Sequence, residues 1–167
     1  MNIDERKQAQ NRLDELIESW DKNNIALALE LIYSDLHLKK YITLKYESFV
    51  VLFGLKYLHQ LVEIPLLFNS YLQHKTIDFN EQQLSLVETL PIERLLVTDN
   101  HDTKAISVLF RLKKLKELTF VKNPNLDKLP SNIEGLQQIE RLYFIGTGLT
   151  ELPASFVQLS TLKTLHL

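Results

Sequence analysis

The sequence predicts an α/β fold: an all-helical N-terminal region over residues 1–80, then a short parallel sheet with helical or 3₁₀ connections over 81–167. Three observations lead there. Apolar residues recur at a fixed long period in the last third of the chain. They recur at helical spacing in the first half. The composition, 45% hydrophobic and 24% charged, is that of a chain able to bury a core.

Residues 4–20 set Leu13, Leu16, Ile17 and Trp20 at helical spacing, with acidic residues early and on the other face. Asp21-Lys22-Asn23-Asn24 reads as a turn and N-cap. Ile25, Ala28, Leu29 and Ile32 then make the apolar stripe of a second helix. Residues 35–46 and 47–62 read as two further helices, and Thr76-Ile77-Asp78-Phe79 alternates as a short strand would. Trp20, Tyr33, Tyr41, Tyr46 and Tyr57 read as core packing, and Asp14-Glu15-Glu18 as a solvated polar face.

The second part is governed by leucine, 34 of 167 residues. Leu95, Leu118, Leu142 and Leu165 are spaced by 23, 24 and 23. Val97, Phe120, Phe144 and Leu167 follow two residues behind, and Ile92, Leu115, Ile139 and Leu162 run three ahead. Leu109, Ile133 and Phe156 form a further column, as do Leu112, Leu136 and Leu159. The one extra residue falls in Asn123-Pro124-Asn125-Leu126. In each L-x-L, alternate side chains of a strand point one way, so Leu118 and Phe120 turn inward while Glu117, Thr119 and Val121 face out. One such strand cannot bury its own apolar face, whereas strands stacked from successive repeats can. Pro130 and Pro153, 23 apart, are placed to open short helical turns in the connections.

Each repeat reads L-x-x-L-x-L-x-x-N, as in the run from Leu115 to Asn123, and continues as Leu129-Pro130-Ser131-Asn132-Ile133-Glu134-Gly135-Leu136. On these residues the chain, over about 90–167, resembles the leucine-rich repeat proteins, in the L-P-x-x-I-x-x-L class common inside cells. The resemblance implies a solenoid of about three repeats, the last incomplete, with a concave sheet as the ligand surface. It also implies that Asn100 and Asn123, and Thr147 in the third repeat, satisfy backbone groups at the bend after each strand. The helices before residue 80 are expected to seal the N-terminal edge.

Two departures from the pattern carry expectations of their own. The first repeat lacks Leu-Pro and has Asp102-Thr103-Lys104-Ala105-Ile106 in its place. The last stops inside its strand, at Leu165-His166-Leu167, as expected of a fragment of a longer array or of an edge open to self-association.

Several chemistries are disfavoured. The chain has no cysteine, so thiol nucleophiles, disulfides and thiolate metal sites are excluded. His37, His59, His74, His101 and His166 are dispersed, and Asp99-Asn100-His101-Asp102 reads as a solvated turn. Gly146-Thr147-Gly148 lacks the Gly-Lys-Ser/Thr of a phosphate loop. No catalytic residue, cofactor or metal is therefore expected. The net charge is −2 and neither half is basic, so nucleic acid is not an expected partner. The charged N-terminus lacks a secretory core, and the apolar stretch from Phe49 to Phe68 is broken by Lys56, His59, Gln60, Glu63 and Pro65. A cytoplasmic protein without membrane contact is expected.

The outward strand positions remain. They form three columns: Arg94, Glu117 and Arg141; Leu96, Thr119 and Tyr143; Thr98, Val121 and Ile145. A tyrosine among aliphatic residues with arginines alongside is the composition of a protein-binding surface. The expected function is a non-enzymatic protein–protein interaction module that uses these nine residues. The alternative is the recognition arm of a larger signalling protein or enzyme whose catalytic part lies elsewhere.

Overall fold

The computed structural model describes residues 3–52, 60–61, 68, 79–99 and 102–167, with backbone alone for 48–52. The expected strand at 76–79 (except Phe79), most of the later part of the helix expected over 47–62, and Tyr57, His59, His74, Asn100 and His101 lie outside the described residues. The fold is α/β, with five helices among the described residues and a four-stranded parallel sheet. The chain divides into two compact units, Met1–Leu67 and Phe68–Leu167.

The first unit contains α1 (Ile3–Ile17), α2 (Lys22–Ser34) and α3 (Leu36–Leu52). Leu13, Leu16 and Ile17 of α1 are buried, as are Ile25, Ala28 and Ile32 of α2, which is the stripe the spacing predicts. Asp21 caps α2 by accepting hydrogen bonds from the Asn23 and Asn24 amides at 2.9 and 3.1 Å. Trp20 does not extend α1. It turns the chain with φ 56°, a left-handed geometry costly for a bulky residue, and its indole is buried. The helices expected over 35–46 and 47–62 begin as one: α3 runs unbroken through residues 46 and 47, where no glycine, proline or capping residue stops it. Of the tyrosines expected in the core, Tyr46 is fully buried and Tyr41 partly so, but Tyr33 is 80% exposed. Helical spacing alone did not distinguish its face of α2.

In the second unit α4 (Glu81–Thr89) opens with a capping box. The Gln83 amide donates to Asn80 Oδ1 and the Asn80 amide to Gln83 Oε1, each at 2.9 Å. Then follow β1 (Arg94–Thr98), α5 (Thr103–Leu109), β2 (Glu117–Asn123), a 3₁₀ turn at Ile133–Gly135, β3 (Arg141–Thr147), a 3₁₀ turn at Ala154–Gln158 and β4 (Thr164–His166). The strands pair in sequence order, in the register of the leucine columns: Leu95 with Leu118, Leu118 with Leu142, Leu142 with Leu165. Leu118, Phe120, Leu142, Ile133 and Leu136 are buried, and the Phe120 and Phe144 rings stack at 5.3 Å with planes 6° apart.

The connections differ as the sequence does. Where Leu-Pro is missing, Asp102 accepts from the Lys104 amide at 2.9 Å and starts a true α-helix. The two repeats with proline make 3₁₀ turns instead. Pro153 stands directly before its turn, and Pro130 three residues before Ile133. Each repeat hangs on the one before by the same contact. The Glu93 carbonyl accepts from the amides of Lys116 and Glu117, that of Lys116 from Glu140 and Arg141, and that of Glu140 from Lys163 and Thr164, all at 2.8–3.0 Å. The chain also leaves each of the first three strands alike. Asp99, Lys122 and Gly146, at equivalent positions, have φ of 55°, 55° and 63°. Only at Gly146 is that conformation free of steric cost.

Candidate interaction face

The strand register places all nine residues singled out in the sequence on one face of β1–β3. Arg94, Glu117 and Arg141 are neighbours across the sheet, as are Leu96, Thr119 and Tyr143, and Thr98, Val121 and Ile145. Alternation fixes this arrangement: with Leu95, Val97, Leu118, Phe120, Leu142 and Phe144 buried, the residues between them must face outward. The middle of the face is apolar and open. Leu96 is 49% and Ile145 46% exposed, on opposite sides of the half-buried Thr119, Val121 and Tyr143. His166 on β4 extends the row beside Tyr143, with ring centroids 6.4 Å apart.

The charged column is largely neutralised within itself. Arg141 Nε donates to Glu117 Oε2 at 2.8 Å, and this bond holds the guanidinium above its ordinary pKa. Arg94 is exposed at the end of that column. The corner behind the face is built by Asn123, whose buried amide donates to the Val97 and Val121 carbonyls at 3.0 and 2.9 Å. Thr147 pairs with Asn123 in the ladder. Beyond it Gly148 lies so close to the Pro124 carbonyl oxygen that a Cβ there would overlap it. Asp99 is exposed and Asp102 serves as the helix cap.

The chain matches no family model, no curated protein and no solved structure.

Among the described residues, no group of three or more His, Asp or Glu side chains is placed to hold a metal ion. None of the described helices is long and apolar enough to cross a membrane. Two features had no clear signal in the sequence. One is an open groove of about 540 Å³ in the second unit, lined by Phe79, Thr103, Ser107, Arg111, Pro130 and Asn132 among others. The other corrects the reading of Asp14 and Glu18 as solvated. Both carboxylates face α3, where Lys45 Nζ lies 2.7 Å from Asp14 Oδ2 and 2.8 Å from Glu18 Oε1. Tyr41 donates to Asp14 at 2.7 Å and Tyr46 to Glu18 at 3.0 Å. Glu15, between them on the helix, stays in solvent beside Arg12. The groups are 27 to 32 residues apart, so only helix packing unites them.

This cluster makes a pH prediction. Burial, with the hydrogen bond to Asp14, pushes the Tyr41 hydroxyl up to about 12. Burial, then the charges of Glu18 and Asp14, pushes Tyr46 up as well. Burial disfavours the Lys45 charge, but its bonds to Asp14 and Glu18 outweigh that and hold it above its ordinary value. For groups whose pKa is raised on folding, the protonated form belongs to the native state. Their contribution is intact below the unfolded values, near 10 for both residue types. It is lost as pH rises through the native ones. Tyrosine absorbance should therefore show at least one late titrating step that coincides with loss of helical circular dichroism. Normal titration of every tyrosine with the helices intact would count against the cluster.

Proposed function

We propose that this chain is a leucine-rich repeat protein, a short solenoid behind a helical N-terminal region, whose concave sheet face binds another protein without catalysis. The observation that carries this reading is the set of apolar side chains in two adjacent rows of the outward face, with Leu96 and Ile145 about half exposed and Val121 and Tyr143 half-buried between them. Residues that face water on an uncovered sheet are ordinarily polar, and exposed apolar patches rimmed by charge mark interaction sites. The hydrogen-bonded strands hold these side chains in place, so little ordering entropy is lost on binding. The Glu117–Arg141 pair fixes the flank of the face, and Arg94 supplies the charge that steers a partner.

The test compares the native chain with Tyr143→Ala and with Val121→Glu/Tyr143→Ala as bait in a lysate of source cells. Tyr143→Ala is expected to weaken the captured partner by about 1–3 kcal/mol while changing the melting temperature little. A partner held equally by the native chain and the double variant would move the site off this face. Parallel loss of fold and binding would remove the evidence for a role of Tyr143 in recognition.

A further inference from the structure

The open groove of about 540 Å³ in the second unit is lined by none of the nine residues of the outward face. Its floor is one stripe of α5 and the turn after it, where Lys104, Ser107, Val108 and Arg111 recur at intervals of three and four. Phe79 and Leu84 line it from the side of α4. Pro130, Ser131 and Asn132 line it from the next connection, which is tied to α5 by the Asn132 amide donating to the Ser107 carbonyl at 3.0 Å.

The polar side of this lining is one-sided. Its charged side chains are two cations, Lys104 and Arg111, and no carboxylate stands among the described lining residues. Arg111 spends one of its five N–H donors on Glu88, at 2.9 Å. Glu88 also binds Lys113, so two cations answer one carboxylate. Glu81 is 3.8 Å from the guanidinium, beyond hydrogen-bond reach, and almost wholly in solvent. Asn132 keeps a second amide proton, and the exposed Ser131 adds a hydroxyl. The groove thus combines donors and positive charge with the apolar surface of Phe79, Leu84, Val108 and Pro130.

We infer that this groove binds an acidic peptide segment of another protein in extended form, with two carboxylates three residues apart and apolar residues between them. This site is separate from the outward strand face and does not rest on the reading of that face. Lys104 and Arg111 are seven residues apart along a helical stripe, roughly 10 Å. In a polyproline II segment, residues i and i+3 fall on one side, about 9 Å apart, so each carboxylate meets one cation. The residues between them rest on Phe79 and Pro130. The backbone of such a segment makes no internal hydrogen bonds, so its carbonyls accept from Asn132 and Ser131. Glu88 holds the Arg111 guanidinium in place beforehand, which lowers the ordering cost of binding.

Fluorescence anisotropy of a labelled Glu-Pro-Leu-Glu-Pro peptide with the whole 167-residue chain tests this. Saturable binding is expected, weakened by salt and roughly ten-fold or more tighter than binding of the same peptide with lysine for both glutamates. Lys104→Glu and Ser131→Glu alter exposed side chains and should leave the circular dichroism unchanged. Each should weaken the peptide roughly five-fold or more, whereas Tyr143→Ala on the outward face should leave it unchanged. No binding at millimolar peptide, equal binding of the two peptides, or indifference to both groove variants would overturn the inference. Loss of the peptide in Tyr143→Ala would overturn it by placing the peptide on the outward face. Displacement by inorganic phosphate as readily as by unlabelled peptide would also overturn it, reducing the groove to a site for simple anions.

Discussion

Phe120→Ala should lower the stability of the second unit by about 3–5 kcal/mol, near the top of the range for core truncations. Phe120 is fully buried and lies in the column Val97–Phe120–Phe144, with its ring stacked on that of Phe144. The space left behind cannot close easily. The strands on both sides are fixed by their ladders, so Val97 and Phe144 cannot move inward without breaking backbone hydrogen bonds. Calorimetry against Thr119→Ala, one residue away on the outward face, separates packing from strand propensity. The control should cost no more than about 0.5–1 kcal/mol. Equal losses from the two variants would mean that the column is not the core of this unit.

The second large effect concerns a polar residue. Asn123→Ala removes the amide that donates to the Val97 and Val121 carbonyls, and each orphaned group costs about 1–3 kcal/mol. Asn123→Asp is nearly isosteric and should be worse at neutral pH, because a carboxylate has no proton to offer two carbonyl oxygens. The site disfavours its charged form, so its native pKa lies above the unfolded value near 3.9. The variant therefore loses stability as pH rises from there, and recovers part of it on acidification, when the neutral acid can donate. Melting curves of the two variants from acid to neutral pH check this. An aspartate as stable as asparagine at neutral pH would show that the amide's two bonds contribute little.

The sheet was legible from sequence because its signal is redundant. The columns headed by Leu95, Leu118, Leu142 and Leu165 hold one register, and a slip by one residue would turn every leucine and phenylalanine outward. The outward face follows from the same alternation, which sets the nine residues on one side of β1–β3. Other features had no such redundancy. Nothing in the spacing of Asp14 and Lys45 says that α1 and α3 pack with those faces together. The boundary expected between residues 46 and 47 had no stop signal behind it, and α3 runs through it as one helix. The left-handed corners at Asp99 and Lys122 were hidden because neither residue type demands that geometry. Only Gly146, at the third corner, hinted at it.

The doubled hydrogen bonds at the Glu93, Lys116 and Glu140 carbonyls give the sheet a mechanical character. Beside its strand ladder, each repeat is fastened to its predecessor by such a seam, and the seams follow one another along the chain. A force lifting β4 out of the sheet concentrates on the Glu140 seam, the one nearest the lifted strand. The sheet then peels instead of shearing. Every release frees about 23 residues, roughly 80 Å of extended chain, before the next seam takes the strain.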